Sequence, residues 1–173
     1  HICSVTNRVA AEIGIENIAH GFFQASDLLR DKVVDFCPAF KRGGSLLNLP
    51  QDSPNMQSLM EYLIEQNVAI TSTLPVFEPY TDREIVLGGG LDAMSPEIRQ
   101  KLESQHKGAQ GLDASLVKSF KKQMAWEKKF YEMGGHLVVG TDPTGAGRTI
   151  AGYGNQRLIE LLIEAQFSPT TAI

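Results

Sequence analysis

The sequence predicts an α/β fold built on a parallel sheet, and three observations carry that reading. Short apolar, β-branched runs recur at "IGIENIA" (13 to 19), "VAITSTL" (68 to 74) and "HLVVGT" (136 to 141). None alternates polar with apolar, as expected of strands buried on both faces. Between them apolar residues repeat at three and four, the helical period, and helix and strand alternate along the chain in the grammar of repeated βα units.

Each element has its own justification. Val5, Val9, Ala10 and Ile13 predict a short opening helix, followed by a strand near 15 to 19. Ser53 caps the next helix with Pro54 in its first turn, Met56, Leu59, Met60 and Leu63 form its buried stripe, and Asn67 ends it before a strand at 68 to 72. Asp113 caps a longer helix that buries Leu116, Phe120, Met124, Trp126 and Phe130, and Gly134-Gly135 close it before a third strand at 136 to 140. Leu158, Leu161 and Leu162 mark a helix over about 153 to 165, and Ser168 with Pro169 opens one more. Two connections are long, 21 to 54 and about 75 to 95, and both leave the carboxyl end of a strand. Loops at that end carry the chemistry of such folds, so the first is expected to be a partly helical lid over a site.

A chain of 173 residues with 42% hydrophobic content and net charge −4 can bury one core, so residues 1–173 are expected to form one soluble domain. Sixteen Lys plus Arg against twenty Asp plus Glu, without a basic cluster, argue against a nucleic-acid surface. The apolar stretches are far shorter than the roughly 20 residues of a membrane span, so no membrane partner is expected. Cys3 and Cys37 are too few for a disulfide framework or a cysteine metal cluster; free or paired, they leave the compartment open, and Cys37 is expected to be structural. The chain begins at His1 and stops at "SPTTAI", and both ends read as cut from something longer.

The stretch "HLVVGTDPTGAGR" invites two chemistries. Gly140 and Gly145 have phosphate-loop spacing, but Ala146 and Gly147 stand where lysine and Ser/Thr are required, and Asp142 would repel a phosphate. The carboxylate reading is stronger. Asp142 sits just past a buried strand, His20 sits at the same place on another, and His1 lies one βα unit upstream. Three such groups from separate strand ends can converge on one divalent ion. His136 starts a strand at the wrong end, and His106 lies in a helix or its exit. Thr71 and Thr73 follow the second strand, and Thr73, Glu78, Tyr80, Arg148 and Tyr153 are candidates to line a substrate pocket. The two threonines serve equally well as β-branched strand residues, and Arg148 as an exposed loop cation.

These residues also carry a resemblance. "HICSVTNRVAAEIGIENIAHGFF" resembles the segment of the metal-dependent amidohydrolase superfamily that runs from its fifth-strand to its sixth-strand histidine. "GGHLVVGTDPTGAG" and "GYGNQRLIELLIEAQFSPTTAI" resemble that superfamily's eighth strand and the following helix, nearest to the imidazolonepropionase-related and prolidase-like groups. Ala19 stands where the family has glutamate and Gln166 where it has glycine.

The resemblance implies the second half of a (β/α)8 TIM-type barrel, strands five to eight with flanking helices, as a fragment of a larger protein. It implies His1 and His20 as metal ligands, with Asp142 as ligand and as general base, then acid. The implied cofactor is a divalent metal, Zn2+ foremost, as one or two ions. Such an ion lowers the pKa of its water from about 15.7 toward 7. The implied function is hydrolysis of a C–N bond in a small amide, cyclic amide or dipeptide. The implied partners are that small-molecule substrate, the rest of the barrel and, as an option, a second copy of the chain. The family's first-strand His-x-His and its bridging lysine or glutamate would lie upstream of His1, so these residues alone would be inactive. The alternative from another class is a non-catalytic half-barrel that binds a small molecule or a partner.

Overall fold

Three short strands set the frame: β1 (Asn17–Ala19), β2 (Ala69–Ser72) and β3 (Leu137–Val139). They form one sheet in the order β1-β2-β3, parallel throughout, with Ile18 beside Ile70 and Ile70 beside Leu137. This computed structural model describes residues 2–29, 32–37, 48–81, 83, 88–109, 114–143, 149–150 and 152–173. The parallel α/β arrangement expected from the apolar runs is therefore present. Burial is not two-sided, however. Along β2 it alternates, with Ile70 and Ser72 buried and Ala69 and Thr71 partly open. Ile18, Ile70 and Ser72 are the buried positions, whereas Asn17 and Thr71 exchange side-chain hydrogen bonds (2.8 and 2.9 Å) at exposed positions.

Helix α2 (Pro54–Glu65) buries the expected stripe of Met56, Leu59, Met60 and Leu63. Asn67 ends it with φ 55, the left-handed conformation that asparagine tolerates, and the Val68 amide returns to Leu63 O at 2.9 Å. Ser53 occupies the cap position without a side-chain bond; its carbonyl accepts from the Gln57 amide at 3.0 Å. Helix α5 (Ala114–Glu132) is closed by Gly134 at φ 94, and its expected cap Asp113 lies outside the described residues. Helix α6 (Tyr153–Glu164) buries Leu158, Leu161 and Leu162.

Elsewhere the outcome differs from expectation. Helix α1 (Asn7–Glu12) turns Asn7, Ala10 and Ala11 inward and leaves Val9 44% and Ile13 78% exposed. In so short a helix the caps set the rotation. Thr6 Oγ1 accepts from the Val9 amide at 3.2 Å, and the Asp27 carboxylate accepts from the amides of Asn7 (2.8 Å) and Arg8 (3.0 Å). The second strand does end at Ser72, as expected, and Leu74-Pro75 then begin a one-turn helix, α3 (Leu74–Phe77), that was not expected. Helix α4 (Pro96–Ala109) includes residue 106, in keeping with the helix expected around His106, although its charged sequence carries few apolar residues and Ile98 is 54% exposed.

Two apolar clusters meet on α5. Trp126 and Phe130 join Ile18, Phe22, Leu59, Leu63 and Ile70, while Phe120 and Met124 join Leu74, Leu158, Leu161 and Phe167. The segment entering α2 is stapled to α5 by Lys122 Nζ, which donates to Leu49 O, and by Trp126 Nε1, which donates to Gln51 O at 2.8 Å. Cys3 and Cys37 form a disulfide (Cα–Cα 4.9 Å) that ties the long first connection to the segment before α1. Within that connection Ser26–Leu28 is a 3-10 turn, and residues 38–47 lie outside the described residues. Among the described residues no helix is long and apolar enough to cross a membrane.

The last helix, α7 (Pro169–Ala172), is capped by Ser168, whose Oγ accepts from the Thr171 amide at 3.2 Å. Ser168→Ala is expected to lower stability by about 1 kcal/mol. Unchanged urea midpoints for the pair would show that the cap contributes nothing.

Candidate catalytic site at the carboxyl end of the sheet

His20 follows β1 directly and Asp142 follows β3, so both stand at the carboxyl end of the sheet. With β2 between them, their strands run about 9.5 Å apart. Both residues depart from strand geometry into positive φ, 74 for His20 and 42 for Asp142, and their side chains meet, with Nε2 and Oδ2 3.7 Å apart. Gly140 shares in this convergence. Its amide donates to Ser72 O at 2.9 Å, and a Cβ there would come within 3.0 Å of Thr71 Cγ2.

The imidazole is oriented from its other nitrogen. His20 Nδ1 lies 2.8 Å from Thr73 Oγ1, and the ring is buried, edge-on to Phe77 at 5.6 Å, with Phe23 stacked on Phe77 at 3.8 Å. Burial pushes the His20 pKa below its usual value, against the pull of the Asp142 carboxylate. The ring is therefore neutral at neutral pH. In the tautomer whose Nδ1–H donates to Thr73, the Nε2 lone pair faces the Asp142 carboxylate; in the other, Thr73 donates to Nδ1 and Nε2–H points at the carboxylate. At 3.7 Å the pair is too long for a hydrogen bond. Two ligand atoms about 2.1 Å from one ion at a tetrahedral angle lie roughly 3.4 Å apart, so the separation fits a shared metal.

The other candidates fall differently. His1 and Arg148 lie outside the described residues, as does most of the 140–148 stretch considered as a phosphate loop. Thr73 holds His20 at Nδ1. Glu78 is held from the side of α6. It is 1% exposed, and its carboxylate accepts from Arg157 Nε (2.9 Å) and NH2 (2.7 Å), with Arg83 Nε at 3.4 Å. An acid buried by this turn needs such partners, and through Arg157 they tie it to α6. Tyr80 is 39% exposed at the end of the 3-10 turn Glu78–Tyr80. Tyr153 starts α6 beside Gly90, and burial raises its hydroxyl pKa, with Glu160 acting the same way. His136 serves the opposite end of the sheet, its carbonyl accepting from the Ile70 amide at 2.9 Å, and His106 lies within α4. Among the described residues no group of three or more His, Cys, Asp or Glu is placed to hold an ion.

Beneath this end of the sheet lies a polar cluster that the sequence reading missed. Gln123 and Glu127, one helical turn apart on the buried face of α5, are each 1% exposed, and Gln123 Nε2 donates to Glu127 Oε1 at 3.0 Å. Their i, i+4 spacing inside an apolar stripe was the available signal. Burial pushes the Glu127 carboxyl up to about 7, while Ser72 and Gln123 act in the opposite sense. An acid whose pKa rises on folding takes up a proton. Its stabilising effect is complete below the unfolded value near 4.5 and fades as pH climbs through about 7. Glu127→Gln is therefore expected to gain on the parent protein between pH 5 and 8, by on the order of 3 kcal/mol at the upper end. Parallel stability–pH curves for the two would refute the shift.

Comparison with protein-family models, curated proteins and solved structures returns no match to the chain.

Proposed function

We propose that this chain is part of a metal-dependent amidohydrolase, the second half of a (β/α)8 barrel, that cleaves a C–N bond in a small amide, cyclic amide or dipeptide. The observation that supports it best is the convergence of His20 Nε2 and Asp142 Oδ2 to 3.7 Å from separate strand ends of a parallel sheet. The half-open sheet, with Asn17 and Thr71 at exposed positions, accords with a barrel completed by other strands.

His20 and Asp142 would hold the ion, Zn2+ foremost, together with His1, and the first half of the barrel would supply the remaining ligands. A bound divalent ion supplies an acidified water and a polarised carbonyl. Asp142, 30% exposed, would accept a proton from the attacking water at its carboxylate and return it to the leaving nitrogen. His20 stays neutral, and Thr73 fixes its ring so that Nε2 faces the carboxylate. Phe77 and Phe23 shield the imidazole from water.

The test uses the intact protein, with metal content measured beside hydrolysis of a panel of dipeptides and cyclic amides. Bound metal, with turnover lost on chelation and in His20→Ala, is the expected result. Undiminished turnover in His20→Ala sinks the reading.

A further inference from the structure

The end of β1 touches the buried pair on α5, and β2 reaches it through Ser72. A Cβ on Gly21, the residue after His20, would fall 2.0 Å from Gln123 Nε2 and 2.3 Å from Glu127 Oε1, so the two α5 side chains press directly on the turn that carries the imidazole. That turn is left-handed at both His20 (φ 74) and Gly21 (φ 57), a conformation that needs support from its surroundings. It is also tied to β2, because the Gly21 amide donates to Thr71 O at 3.0 Å. Ser72 is the third member. Its carbonyl accepts from the Gly140 amide at the start of the Asp142 loop, and its neighbour Thr73 holds His20 Nδ1.

Three buried oxygens in this cluster, Ser72 Oγ, Gln123 Oε1 and Glu127 Oε2, lack a hydrogen bond of good geometry among the described residues, although Ser72 lies close enough to the Glu127 carboxyl to act on its pKa. A core that served packing alone would be more stable with apolar side chains here. Polar groups kept at such a position point to what they touch.

We propose that Glu127, Gln123 and Ser72 form a positioning network that holds the His20-Gly21 turn from beneath and thereby fixes His20 Nε2 opposite Asp142. The role rests on reading His20 as a metal ligand. Glu127 touches no substrate; it acts through Gly21. In the charged or the neutral form its carboxyl fills the space that a glycine leaves, and Gln123 locks its rotamer.

The test compares the intact protein with Glu127→Leu and Glu127→Gln, using Co2+ as the metal probe and the imidazole 15N shifts of His20 recorded without metal. Glu127→Leu is expected to weaken Co2+ binding 10- to 100-fold and to shift the His20 resonances, whereas Glu127→Gln, with the same outline and an amide in place of the acid, stays within about threefold of the parent. Unaltered Co2+ affinity and unaltered His20 shifts in Glu127→Leu overturn the proposal. If the parent binds no Co2+, the hydrolase reading falls, and the His20 shifts alone decide the positioning role. Should Glu127→Leu fail to fold, Gln123→Met, which removes the amide at similar length, carries the same comparison.

Discussion

Asp142→Asn is expected to lower kcat for amide hydrolysis by about 10^2- to 10^4-fold, the usual worth of a positioned general base. Asparagine keeps the outline of the side chain but neither accepts a proton nor carries charge. The same change removes the carboxylate that raises the His20 pKa, so His20 is left neutral over a wider pH range. Loss of turnover therefore cannot come from protonation of the imidazole. Metal content and kcat measured on the same samples separate lost binding from lost proton transfer. Parent-level kcat in Asp142→Asn would remove the carboxylate from the mechanism.

Reduction of the Cys3–Cys37 disulfide is expected to lower stability by about 4 kcal/mol. The two residues are 34 apart, and closing a loop of that length removes this much chain entropy from the unfolded state. The junction has a second fastening, since Lys32 Nζ donates to Ser4 O and Val33 O, both at 2.5 Å, and to Phe36 O at 2.9 Å. Lys32 holds the loop only while the disulfide keeps residues 32–37 against residues 3–5, so both should loosen together. Urea midpoints with and without reductant measure the effect. Coincident midpoints would mean that the thiols are not paired in solution.

Much of the scaffold was legible because its cause is local. Apolar periodicity marks α2, α5 and α6, and Asn67 and Gly134 mark where the chain must turn left-handed. The placement of His20 and Asp142 followed from one rule about parallel strands, that their carboxyl ends collect the chemistry. What escaped depends on contacts distant in sequence. Nothing near Asn7 says that Asp27 will cap α1 and rotate it, and nothing near Glu78 announces Arg157. The disulfide needed a partner 34 residues away. Gln123 and Glu127 were passed over because a search for stripes counts apolar positions and skips the polar ones between them.

The connections of this sheet are unequal, and the inequality has an evolutionary consequence. At the amino end the returns are tight, residues 66–68 before β2 and 133–136 before β3, with carbonyls and amides already spent on closing the helices. At the carboxyl end β1 is followed by a long connection before α2 begins at Pro54, and β2 by the short α3 and the turn Glu78–Tyr80 before α4 begins at Pro96. Length changes at the second face that spare Gly21, Phe22, Leu49 and Gln51, which pack on or bond to α5, leave strand register untouched, while one extra residue in the first would slide a helix against the sheet. Relatives should therefore differ in length at one rim and keep the other nearly constant, and insertion libraries are best tolerated on the rim that is free to vary.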